Sequence, residues 1–141
     1  MIKLTKSKIE KPFGKSIFES IAVGAAHELL RHDLVEHLAE LQKEMHFKYC
    51  RFHGLFNRRM AVAQRMQDGT LAYQWHHVDK ITDNLLSVGL KPFFELNDMP
   101  DEMASGDSHI FDWKMNTSEP KDYNEWGELI EAFVSHMVDR Y

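Results

Sequence analysis

Phe47-Lys48-Tyr49-Cys50-Arg51-Phe52-His53-Gly54 is the stretch on which the reading of this chain turns. Side chains alternate faces along a β-strand. Tyr49, Arg51 and His53 therefore share one face, and Lys48, Cys50 and Phe52 the other. The first face ends on a cation and an imidazole, and glycine breaks the strand immediately after. A strand whose last inward residues are polar, followed by a loop, is how an α/β barrel delivers chemistry to its mouth.

The flanking sequence supports a repeated strand–helix plan. Upstream, Ile17–Gly24 reads as a first strand, preceded by a polar lead-in over residues 1–16 that has room for a short edge strand. A helix follows, beginning at Glu28 or Asp33 and running to Met45, with Leu34, Leu38, Leu41 and Met45 at helical spacing. Downstream, residues 53–72 read as a long irregular loop carrying the Arg58-Arg59 pair. Val78, Ile81, Leu85 and Leu86 then set a helix over about His76–Ser87, which Gly89 stops. Lys91–Leu96 is the third strand, with Pro92 near its start. Another long loop spans residues 97–120, and a last helix runs from about Tyr123 to Asp139. Short loops before each strand and long loops after the second and third are the asymmetry of a parallel α/β fold that works at its strand C-termini. The expected fold is α/β: a partial (β/α)₈ TIM barrel of about three βα units, treated as one domain over residues 1–141.

Composition narrows the function. A chain of 141 residues that is 43% hydrophobic has enough apolar material for a core, which argues against disorder. The net charge is -5 and the basic residues are scattered, so neither nucleic acid nor an acidic membrane surface is expected as a partner. The single cysteine, Cys50, excludes an internal disulfide. Together with an N-terminus too polar for a secretion signal, it leads to an expected cytoplasmic location.

An ordered series of short motifs adds a family. Arg51-Phe52-His53-Gly54 is followed by Asp79-x-x-x-Asp83, Gly89-Leu90-Lys91-Pro92-Phe93-Phe94-Glu95-Leu96, Met99-Pro100, Phe111-x-Trp113 and Pro120-Lys121-Asp122-Tyr123-x-x-Trp126. With Gly24-Ala25-Ala26-His27-Glu28-Leu29-Leu30-Arg31 placed after the first strand, the series resembles the N-terminal part of glycoside hydrolase family 39, the β-xylosidase family. The resemblance covers roughly residues 17–141. It implies a (β/α)₈ barrel, retaining hydrolysis of β-linked sugars, and a β-xyloside-like carbohydrate as substrate. It also implies two catalytic glutamates, one in an Asn-Glu-Pro motif after the fourth strand and one after the seventh. No Asn-Glu-Pro occurs here, and Asp139-Arg140-Tyr141 falls just before the expected fourth strand. Retaining hydrolysis needs both carboxyl groups, about 5 Å apart. No catalytic residue is therefore assigned, and the chain alone is expected to be inactive. Exposed sheet edges would lead it to self-associate or to seek a missing C-terminal barrel segment. A related domain fused to AraC-type regulators implies an alternative, a sugar-sensing or partner-binding module without turnover.

The expected substrate-binding residues are His53, Arg51, Phe111, Trp113 and Glu95. By the resemblance His53 reaches a sugar hydroxyl; otherwise it caps the turn before Gly54. Arg51 either faces a carboxylate in the barrel mouth or forms a structural ion pair. Glu95 lies one strand too early for the catalytic acid, and a structural partnership with Arg51 is the favoured reading. Phe111 and Trp113 fit the family position of an aromatic wall, with Phe111 the preferred of the two. Two departures from the family pattern fall on this face. Arg58 and Arg59 stand where acidic residues are usual, and Asn97-Asp98 precedes Met99-Pro100 in place of Gly-Phe. His76-His77-x-Asp79 and the His27, His32, His37 series splay around helices, so no metal and no cofactor is expected.

Overall fold

The computed structural model describes residues 14–141. The edge strand expected in the polar lead-in lies mostly outside those residues; its described end is a 3₁₀ turn, Lys15–Phe18. Strand β1 follows at Ser20–Ala25, later than the expected start at Ile17, and leads into a second 3₁₀ turn, Ala26–Leu30. Helix α1 is His32–Met45, one residue before the Asp33 start offered by the sequence, while Glu28 belongs to the preceding turn. Strand β2, Tyr49–His53, is the stretch that anchors the fold. Helix α2 (His76–Ser87), strand β5 (Lys91–Phe94) and helix α3 (Tyr123–Arg140) complete the strand–helix repeats.

The central sheet has the order β1-β2-β5 and is parallel throughout. Its register places Ala22 and Phe93 on either side of Arg51. Alternation along β2 is clean: Cys50 and Phe52 are buried while Tyr49 and Arg51 are exposed. The covered face packs Phe52 and Phe94 edge to face at 5.5 Å and joins Leu38, Ile81, Leu85 and Phe133 in one core. The opposite face, with Ala22, Tyr49, Arg51 and Phe93, is open.

Local chemistry explains how the strands are entered. Helix α1 ends on His46 in the left-handed conformation. Gln42 then spans the turn, its Nε2 donating to the Phe47 carbonyl at 2.9 Å and its Oε1 accepting the Phe47 N–H at 2.8 Å. Helix α2 closes with a Schellman arrangement. Gly89, at φ +79°, donates to Leu86 O, and Leu90 N–H donates to Leu85 O at 2.9 Å. Asp122 caps α3 by accepting the Asn124 N–H at 2.7 Å.

Two expected loops contain strands. Residues 53–72 hold β3 (Ala63–Arg65), which forms an antiparallel hairpin with β4 (Leu71–Tyr73). Residues 97–120 hold a second small hairpin, β6 (His109–Ile110) with β7 (Met115–Asn116). Neither strand pair is long enough to display a period. The first is held from outside, by Arg65 gripping Glu125 of α3 through two bonds of 3.0 and 2.7 Å.

Candidate sugar-binding site

Polar and aromatic side chains gather where β1, β2 and β5 end. His53 closes β2, and Gly54 turns the chain at φ +73°. That left-handed conformation is what favours glycine here, since a Cβ at Gly54 would meet Asp98 and Ala25 at ordinary contact distances of 3.5 and 3.6 Å. The Trp113 ring lies 5.4 Å from the imidazole of His53, and Phe111 stacks on Trp113 at 4.5 Å with the planes 18° apart. Phe111 and Lys114 both hold positive φ, which folds the β6–β7 turn back over β2. Although the sequence favours Phe111 as the site aromatic, Trp113 lines the concavity. Phe111 backs it and is 59% exposed.

That concavity measures about 160 Å³ and is lined by Gly24, Ala25, His27, Glu28, Arg59, Asp112 and Trp113. Glu28 Oε2 accepts the Ala25 N–H at 3.0 Å, which fixes the turn after β1; a Cβ at Gly24 would collide with this carboxylate. Arg59 Nη1 donates to His27 Nε2 at 2.7 Å. Arginine stays protonated, so His27 must accept on Nε2 and carry its proton on Nδ1. Burial, and then the Arg59 charge, hold the His27 pKa below its usual value. The imidazole is thus a neutral ring. Its Nδ1 is buried without a protein partner among the described residues, as are His53 Nε2 and Trp113 Nε1.

The other expected residues form a supporting layer. Arg51 Nε meets Glu95 Oε1 at 2.8 Å, the structural pairing favoured from the sequence. Glu95 Oε2 accepts from Asn97 Nδ2 at 3.3 Å, and Asn97 Oδ1 accepts the Gly54 N–H at 2.6 Å. Arg51 and Glu95 therefore reach the His53–Gly54 turn through Asn97. Arg58 faces a separate hollow of about 210 Å³, shared with Gln64, Gln74 and Glu102.

His27 is not singled out by its sequence pattern, and Arg59 only as a departure from the family pattern on this face. The usable signal for His27 was its place just after β1, the same strand-end logic that selects His53. The candidate metal pair behaves differently from expectation in one respect: the His76 and His77 rings approach to 3.9 Å instead of splaying apart. His77 Nδ1 lies 3.1 Å from Met60 O, so its ring is engaged with the backbone. No group of three or more metal-ligating side chains occurs among the described residues. Cys50 is buried, which pushes its thiol up to about 11 and leaves it unsuited to act as a nucleophile. No helix of the described residues is long and apolar enough to cross a membrane.

Comparison with known proteins agrees with the motif series. The family model for glycosyl hydrolases family 39 matches residues 1–141, and the chain belongs to that family. It is 40% identical over 141 residues to a β-xylosidase of Caldicellulosiruptor saccharolyticus, covering 95% of this chain and 29% of that protein. A β-xylosidase of Geobacillus stearothermophilus is 36% identical over 124 residues, with 86% and 25% covered. Among solved structures, a family 39 β-xylosidase from Caulobacter crescentus superposes with a TM-score of 0.82 at 39% identity, over 88% of this chain and 28% of that one. The family 39 enzyme from Xanthomonas axonopodis pv. citri gives 0.85 at 34% identity, over 91% and 25%. The chain therefore spans between a quarter and three tenths of the length of these relatives.

Proposed function

We propose that this chain is the N-terminal three βα units of a (β/α)₈ glycoside-hydrolase barrel, and that it supplies one wall of a site for β-xylosides. On this reading the open sheet face with Ala22, Tyr49, Arg51 and Phe93 is the barrel lumen, and the concavity at the strand ends is part of the sugar pocket. The observation that carries the reading is the meeting of Trp113, His53, His27 and Arg59 at the C-terminal ends of parallel strands in a family 39 chain. A flat indole covers the C–H face of a pyranose, while imidazole and guanidinium groups hydrogen-bond its hydroxyls. Arg51 and Glu95 hold the turn beneath His53 and do not themselves need to touch sugar.

Hydrolysis is not expected from this chain by itself. The retaining mechanism requires an acid/base and a nucleophile, and no residue here occupies either family motif. Calorimetric titration with xylobiose, run beside an assay for released xylose, tests the proposal. Binding without release, abolished by Trp113→Ala, is the expected result. Release of xylose by the purified chain would overturn the wall-only role. Binding that Trp113→Ala leaves intact would overturn the placement of the pocket.

A further inference from the structure

Asp98 and Asn57 are both 3% exposed, and they join loops that follow different strands. Asn57 Nδ2 donates to Asp98 Oδ2 at 2.7 Å, across 41 positions of sequence. The Asn57 carboxamide oxygen then accepts the Arg59 N–H at 3.1 Å. Arg59 in turn places its guanidinium on His27, in the turn after β1. The order Asp98–Asn57–Arg59–His27 is one continuous set of hydrogen bonds. It crosses the loops after β5, β2 and β1 and ends in the concavity that Trp113 lines. Asn97 secures the same junction, taking the Gly54 N–H on its side chain and the Phe56 N–H on its carbonyl.

A purely structural clamp would not need this composition. Asp98 sits at φ +64°, a conformation that glycine adopts at less cost. Its second oxygen, Oδ1, meets no donor among the described residues. A buried carboxylate with an unsatisfied oxygen is destabilising, and two apolar groups would fill the space more cheaply. What the pair provides is direction. The carboxylate fixes which end of the Asn57 amide faces Asp98, and so which end faces the Arg59 N–H.

We infer that Asp98 and Asn57 are positioning residues of the site, which set where Arg59 and His27 stand against Trp113 by locking three strand-end loops to one another. The inference rests on the sugar-site reading for its functional consequence, but its geometry is testable without sugar.

Reversal of the pair supplies the test in the full 141-residue chain. Asn57→Asp sets two carboxylates face to face. The double variant Asn57→Asp/Asp98→Asn exchanges donor and acceptor and remakes the bond. Amide hydrogen exchange at Arg59 reads the clamp, with the Cys50 and Phe52 amides as an internal reference for β2. The expected result for Asn57→Asp is exchange at Arg59 about tenfold faster, with Cys50 and Phe52 unchanged. The double variant should return Arg59 to within about threefold of the parent. The His27 ring nitrogen resonances should move in the single variant and return in the double. If Asn57→Asp does not fold, Asp98→Ala removes the orienting acceptor without adding a charge and should give the same loss at Arg59. Unchanged exchange at Arg59 would overturn the inference. So would a loss shared equally by Cys50 and Phe52, or a double variant that stays as fast as the single. The Trp113 indole N–H, followed with xylobiose, separates the two readings. No response in the parent chain rejects the sugar site and leaves the exchange result standing. A response that weakens about fivefold in Asn57→Asp and recovers in the double variant supports both.

Discussion

His27 and Asp98 are displaced from their usual titration ranges in opposite directions, so they make opposite contributions to stability as pH changes. Burial and the Arg59 charge lower the His27 pKa below 6.5, with Glu28 opposing and the nearby His53 charge adding to the depression. The unfolded chain thus binds this proton more readily than the folded chain. The His27 contribution is fully present above pH 6.5, and it is lost as pH falls through the lower folded value. Burial raises the Asp98 pKa above 3.8, against the Asn57 hydrogen bond and the charges of His53 and His109, and with the help of Asp101. Here the folded state holds the proton more tightly. The ionised carboxylate therefore costs stability at neutral pH, and the cost is relieved as pH falls through the raised value toward 3.8. Asp98→Asn removes the charge and keeps an acceptor for Asn57. Thermal melts should show a higher Tm for this variant at pH 7, with the difference shrinking as pH falls through the raised folded value and gone below 3.8. An equal or lower Tm at pH 7 would mean that Asp98 is better compensated than its partners indicate. None of this was legible from residue types alone. Asp98 read as a departure from the family pattern, and its role needed the contact with Asn57, 41 residues away.

Helix α3 shows how an element is fixed to the rest of the fold by a few side chains. Phe133 sits among Phe56, Trp75 and Phe94, with ring centroids at 6.0, 6.0 and 5.2 Å. Polar contacts pin both ends of the same helix. Arg65 grips Glu125 near the start. Near the end, His136 meets Asp79 at 2.6 Å and Arg140 bridges Asp79 and Asp83. These ion pairs are only partly buried, and each still contributes less than the buried ring, which carries the attachment. Phe133→Ala should cost about 3–5 kcal/mol in a denaturant titration, and Arg65→Ala about 1 kcal/mol or less. The reverse ranking would show that the polar grips dominate. At this scale the sequence was most informative where periodicity is long. The helix expected over about His76–Ser87 is α2 with the same bounds, and the last helix differs from expectation by one residue at its end. It was least informative for β3, β4, β6 and β7, each of three residues or fewer. Such strands are specified by tertiary contacts that a local pattern does not contain.

For the molecule as a whole, the open sheet is the dominant feature. Strands β1 and β5 are each paired on one side only among the described residues, and the face with Tyr49 and Phe93 is uncovered. Unpaired edges and exposed aromatic surface favour association with further strands. Sedimentation velocity at rising concentration should therefore show self-association of the isolated chain. A single monomer boundary at all concentrations, with a cooperative melt, would show that the open sheet is tolerated. The parallel α/β plan was readable from strand–helix order and loop lengths. The grouping of His27 and Arg59 was not, because it depends on how three loops meet above the sheet. The central claim is that those loops form a wall that binds sugar. Titrating the ¹⁵N-labelled chain with xylobiose and following every assigned amide and ring resonance tests it most directly. Saturable shifts are expected on the Trp113 indole, His53, His27 and Arg59, with the α1 and α3 surfaces silent. Shifts confined to other surfaces, or none at all, would contradict it.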